Sequence, residues 1–140
     1  MKKTKAIVIT GNGTNCEMEA ANACRLAGFD EADIVHISSL LSGNVRLDDY
    51  HFLNLTGGFL DGDDLGSAKA QANRFKYAKV DEVKEHLLDQ LLRFIADAKP
   101  ILGVCNGFQL MEVPEPATNT TDRRVTLCLC RSGQSVTGLA

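Results

Sequence analysis

A chain of 140 residues, 44% apolar and 24% charged with a formal net charge of −3, is long enough for one core without staples. It has no electrostatic bias toward nucleic acid or an anionic membrane. Its five cysteines are odd in number and lack C-x-x-C spacing, and only a short apolar run follows Met1-Lys2-Lys3-Thr4-Lys5, so no secretory leader or membrane span is read. One cytoplasmic domain with reduced thiols is expected.

Ala6-Ile7-Val8-Ile9-Thr10 is a β-branched run closed by Gly11-Asn12-Gly13, the pattern of a strand buried on both faces and then a tight turn. Thr14 or Asn15 is placed to cap a following helix, with an apolar face drawn by Met18, Ala21, Ala23, Cys24, Leu26 and Ala27 before Gly28 ends it. The turn at 11–15 either cradles a phosphate, as glycine-rich strand-to-helix turns do, or is a simple turn; Cys16 breaks the G-x-G-x-x-G pattern and favours the second. Residues 32–37 predict a second strand and residues 51–56 a third. Gly57-Gly58 closes the third, where a doubly wound sheet places its ligand loops. A glycine pair there is either a turn or a bare backbone that a substrate carbonyl can approach.

Residues 59–79 are irregular, with Asp61-Gly62-Asp63-Asp64 among glycines. That string lacks the alternation and closing glutamate of a calcium loop, so a loop running into a short helix is preferred and no metal is assigned. From Val80 to Lys99, apolar residues at 80, 83, 87, 88, 91, 94, 95 and 98 recur at helical spacing, which predicts one long helix with His86 solvated or packed at its border. Pro100 stops it, and residues 101–104 predict a fourth strand.

That strand runs into Gly103-Val104-Cys105-Asn106-Gly107-Phe108-Gln109. A cysteine with glycine two positions away on either side, at a strand-to-helix turn, is the thiol form of a nucleophile elbow. The nucleophile sits on strained backbone above the sheet, and Gly103 and Gly107 remove Cβ atoms that would collide with neighbouring main chain. A helix starting at the sulfur aims the Asn106 N–H where an oxyanion forms. By itself G-x-C-x-G more often marks a small buried cysteine.

The longer string, taken with Gly13-Thr14-Asn15-Cys16-Glu17 and Gly57-Gly58-Phe59-Leu60-Asp61-Gly62-Asp63, resembles the class I, triad-type glutamine amidotransferases, in particular the branch serving purine biosynthesis. The resemblance covers about residues 4–111. It implies an α/β fold, a doubly wound, mostly parallel, flavodoxin-like sheet with its C-terminal part missing. It also implies hydrolysis of glutamine by Cys105, an oxyanion held by the N–H groups of Gly58, Phe59 and Asn106, and substrate contacts from Gly57 and Gln109. The ammonia would pass to a synthetase subunit that aminates formylglycinamide ribonucleotide. ATP and magnesium would be used by that partner, with no cofactor in this chain and no nucleic-acid or membrane partner. The family's Pro-Gly-Gly reads Thr56-Gly57-Gly58 here, a departure that leaves the glycine backbone free.

The larger departure lies downstream. Triad-type amidotransferases take a base and its orienter from an H-x-E pair well past the elbow, whereas this chain has only His36, His51 and His86. Residues 112–140 begin with a proline-broken polar stretch and read as an atypical tail, as if the domain were truncated near residue 111 and the tail read in another frame or joined from elsewhere. Its alternating residues 125–130 could form an edge strand, and Cys128-x-Cys130 is too sparse for zinc. Three expectations follow: little activity alone, an exposed apolar patch at Ile101, Val104 and Leu110, and rescue of the base only if His36, or less plausibly His51, reaches the sulfur. The alternatives are a non-catalytic binding module, or another elbow-cysteine thiol enzyme, against which Asn106 after the cysteine counts.

Overall fold

A computed structural model describes residues 3–58, 69–80, 85–111, 130–131 and 134–135. Four parallel strands form the sheet: β1 (Lys5–Thr10), β3 (Glu31–His36), β4 (Phe52–Leu55) and β6 (Ile101–Gly103), in the order β3-β1-β4-β6. β1 is central because its alternation serves two cores at once. Ala6 and Val8 face a small-residue cluster, while Ile7 and Ile9 face a larger one. The first cluster is closed by α1 (Glu17–Leu26) through Ala21 and Cys24. The second is closed by Phe75 of α3 (Lys69–Tyr77) and by Leu87 and Phe94 of α4 (Leu87–Ala96), with Leu53, Leu55 and Ile101 from the sheet. Helices on both faces of a parallel sheet make the fold α/β and doubly wound, as the sequence implies.

Several local expectations are revised. Neither Thr14 nor Asn15 caps α1: they form the short strand β2 (Thr14–Asn15), and the N-cap is Cys16, in left-handed backbone at φ 66° with no side-chain cap bond. A five-residue helix that the sequence did not signal, α2 (Ile37–Leu41), follows β3 directly, capped by His36 as its Nδ1 accepts the Ser38 N–H at 3.2 Å.

The long helix expected from residue 80 begins only at Leu87. Ahead of it Lys79 forms an antiparallel bridge with His86 and the Val80 N–H donates to Glu85 O at 2.7 Å, so these four residues pair with one another instead of starting the helix. The Asp89 carboxylate then takes the His86 N–H at 2.9 Å and opens the helix. Val80 is still fully buried, so its place in the apolar spacing reports burial, while the spacing from Leu87 to Ile95 does report the helix.

The expected apolar patch is not formed as foreseen. Ile101 is buried, and Val104 and Leu110 are half-buried, whereas the large apolar side chains exposed among the described residues are Met18, Leu26 and Tyr77. The Asp61–Asp64 string and nearly all of the tail lie outside the described residues. Of the tail, a two-stranded pairing of β7 (Cys130–Arg131) with β8 (Gln134–Ser135) is seen, so most of the edge strand expected at 125–130 is not described.

Candidate active site

Cys105 stands where β6 gives way to α5 (Asn106–Met111), exposed and in left-handed backbone at φ 52°. A side chain at positive φ normally costs about 1–2 kcal/mol, and it persists where the surroundings leave no other path. Those surroundings are two glycines packed on backbone. A Cβ on Gly103 would lie 2.7 Å from Gly107 O, and a Cβ on Gly107 would run into Leu55 O and come within 2.9 Å of Leu55 Cβ. The helix is thus seated on the end of β4 at a separation only glycine permits. The Val104 N–H extends the β4 pairing by donating to Leu55 O at 3.0 Å.

The same close approach brings the glycine loop to the sulfur. Strand β5 (Gly57–Gly58) follows β4 after one residue, and a Cβ built on Gly57 would lie 3.4 Å from Cys105 Cβ. Gly57 is therefore the wall against which the nucleophile rests. Asn106 is buried, and its N–H, the first of α5, has no partner inside the helix. Its carboxamide donates to Gln109 Oε1 at 3.4 Å, which ties the exposed Gln109 to the elbow. Of the residues expected at the site, Cys105, Gly57, Gly58, Asn106 and Gln109 gather at the carboxyl ends of β4 and β6; Phe59 lies outside the described residues.

One part of the site was missed by the sequence reading. β2 pairs antiparallel with β5, Thr14 opposite Gly58 and Asn15 opposite Gly57, so the first loop of the chain backs the glycine strip on the side away from Cys105. This also bears on the two readings of residues 11–15. The Gly11 N–H is taken by Thr14 Oγ1 at 3.1 Å and the Cys16 N–H by Asn15 Oδ1 at 2.9 Å, so two N–H groups of this turn are already occupied by its own side chains. That leaves fewer donors for a phosphate, as the simple-turn reading expects.

Among the described residues no histidine is hydrogen-bonded to the thiol. His36 ends β3, three strand spacings from β6, about 14 Å at roughly 4.8 Å each. His51 lies at the opposite end of the sheet, its Nδ1 accepting the Lys5 N–H at 3.1 Å. His86 begins α4, bridged to Lys79. The hoped-for rescue by His36 or His51 is therefore corrected. Among the described residues there is also no grouping of three His, Cys, Asp or Glu fit to hold a metal ion, and no helix long and apolar enough to cross a membrane.

A cysteine at a strand-to-helix elbow beside a bare glycine strip, at the carboxyl edge of a doubly wound sheet, is the arrangement of an elbow-cysteine α/β domain. Residues 3–135 match the CobB/CobQ-like glutamine amidotransferase domain, and the chain belongs to that family. It is 46% identical over 107 residues to phosphoribosylformylglycinamidine synthase subunit PurQ of Methanococcus maripaludis strain S2, covering 76% of this chain and 36% of the relative. With the subunit of the same name from Dehalococcoides mccartyi it shares 38% identity over 111 residues, 79% of this chain and 40% of that one. The solved structure of PurLQS from Thermotoga maritima matches at 30% identity with a TM-score of 0.58, over 79% of this chain and 43% of the other. The chain thus spans about two fifths of the length of these relatives.

Proposed function

We propose that these 140 residues carry the nucleophile and oxyanion loop of the glutaminase subunit of a phosphoribosylformylglycinamidine synthase. The supporting observation is the exposed Cys105 at positive φ, pressed against Gly57. In this reading the Cys105 sulfur attacks the side-chain amide carbon of glutamine. The negative charge that develops on the amide oxygen is received by N–H groups of Gly58, Phe59 and Asn106. The C–N bond breaks as a proton reaches the departing ammonia, and water then releases glutamate from the thioester. Gly57 and Gln109 contact the substrate. The ammonia goes to a synthetase subunit of the same complex, which uses ATP and magnesium to aminate its ribonucleotide. Residence in the cytoplasm agrees with the free thiols of Cys16, Cys24 and Cys105.

Among the described residues no histidine is hydrogen-bonded to the thiol, so hydrolysis by these residues alone should fall on the order of 10⁴-fold or more below a complete triad. A second reading is that the chain binds glutamine or its partner without turnover. Labelling tests for the glutamine pocket, and glutamate release tests turnover. A glutamine-like electrophile and iodoacetamide should both modify Cys105, with Cys24 as internal control: it is only 4% exposed, and burial pushes its thiol up. Modification by iodoacetamide alone would mean a generic thiol, and by neither a structural cysteine. Glutamate release at the rate of a full triad, abolished by Cys105→Ala, would refute the predicted inactivity.

A further inference from the structure

We infer that Thr14 is the positioning residue of the glycine strip, holding Gly57–Gly58 in register against Cys105 through a fully saturated hydroxyl. The inference rests on the glutaminase reading for its chemical consequence, but its geometry stands apart from that reading.

The Thr14 hydroxyl donates to Gly11 O at 2.8 Å and accepts the Gly11 N–H at 3.1 Å. A hydroxyl has one proton, so the 2.8 Å contact with Thr10 Oγ1 must be a bond donated by Thr10. One donor and two acceptor sites are therefore all in use. The Thr14 main chain adds a fourth bond, its N–H donating to Gly11 O at 3.1 Å. The last residue of β1, the turn and the first residue of β2 are thereby knotted into one unit, anchored to the central strand.

That unit is what the glycine strip lies on. Gly58 sits at φ 101° opposite Thr14, and a Cβ there would be 2.8 Å from Thr14 Cα and 2.9 Å from Asn15 N, besides striking Gly13 O. On its other side the strip meets Cys105 through Gly57. A two-residue strand has little pairing of its own to resist sliding. Its position is set by the rigidity of the turn behind it, and that rigidity resides in one hydroxyl. An oxyanion donor displaced by even 1 Å loses most of its effect, because such stabilisation depends on preset geometry.

Thr14→Val keeps the branched shape and removes the hydroxyl, whereas Thr14→Ser keeps the hydroxyl. Two measurements on the full chain test the inference. In amide hydrogen exchange, Thr14→Val should speed exchange of the segment holding Gly57 and Gly58 about 10-fold or more, with β1 and β3 still protected, and Thr14→Ser should stay near the parent. In labelling, Thr14→Val should lower the rate of Cys105 modification by a γ-diazoketone analogue of glutamine about 10-fold relative to iodoacetamide, with Thr14→Ser again near the parent. Should Thr14→Val fold poorly, Thr10→Val, which deletes only one of the bonds, should shift both readouts the same way by a smaller factor. Unchanged exchange at the strip in folded Thr14→Val would overturn the positioning role. Faster exchange with an unchanged labelling ratio would overturn its coupling to the site. A parent chain that the diazoketone never labels would instead refute the glutamine reading, while the exchange result alone decided the geometric one.

Discussion

At the carboxyl ends of β4 and β6 the chain is held by main chain against main chain, with Gly103 on Gly107, Gly107 on Leu55 and Gly58 on Gly13–Asn15, at distances that exclude a Cβ. Near the amino ends of the same strands the work is done by long side chains. Arg93 of α4 holds Asp48 at 2.8 Å and Glu85 at 2.9 Å, Arg46 reaches the same two carboxylates at 3.1 and 3.4 Å, and Lys99 Nζ donates to Asp48 O at 3.1 Å. Gln90, fully buried, accepts the Leu47 N–H at 3.0 Å and fixes the 3₁₀ turn Leu47–Asp49 to the helix. The difference is one of tolerance. A charged side chain can be pruned and its neighbours re-solvated, but a backbone seated on backbone has no slack, and that is the kind of support a reacting atom needs.

The largest effect should come from intruding on that backbone contact. Gly107→Ala puts a methyl into the Leu55 carbonyl, and because neither α5 nor β4 can withdraw without moving Cys105, the cost is expected at about 3 kcal/mol, the upper part of the range for overpacking. Denaturant unfolding would show it as a lower midpoint with unchanged slope. A midpoint within experimental error of the parent would mean that helix and strand are not in main-chain contact, and the comparison would fail.

A smaller effect of opposite sign is expected at the nucleophile. Cys105→Gly removes a side chain held at φ 52°, so relative to Cys105→Ala, which keeps the strained Cβ, it should be more stable by about 1 kcal/mol. Iodoacetamide labelling at the elbow would vanish in both. If the alanine variant proved the more stable, the positive φ would not be a source of strain.

How much of this could be read from the residues depends on which interactions decide each part. The four parallel strands and the elbow were legible because β-branched runs ending in glycine, and G-x-C-x-G after an apolar strand, are local patterns with few physical solutions. The start of α4 was not, since Lys79 and His86 pair as a bridge and the helix begins where Asp89 can take the His86 N–H. The pairing of Thr14–Asn15 with Gly57–Gly58 was hidden for the same reason: its partners lie more than forty residues apart, and its only local trace is a threonine three residues after a glycine.

The smallest effect tests the side-chain end of the comparison. Hydrogen bonds from Arg93, and then from Arg46, hold the Asp48 carboxyl below its ordinary value of 3.8 against a modest cost of burial. A carboxylate with a depressed pKa adds stability that is present above the ordinary value and is lost as pH falls through the depressed one. Asp48 is about a third exposed and Arg93 more so, which limits the contribution to a few tenths up to about 1 kcal/mol. Asp48→Asn should therefore lower the urea midpoint slightly at pH 6, and the gap from the parent should narrow as the pH falls from the ordinary value of 3.8 through the depressed one. Added salt should narrow it too, since the pair is open to solvent. A gap that widened on acidification would mean that Asp48 is kept for its neutral hydrogen bonds rather than its charge, and the ion pairs at this end of the sheet would then be incidental.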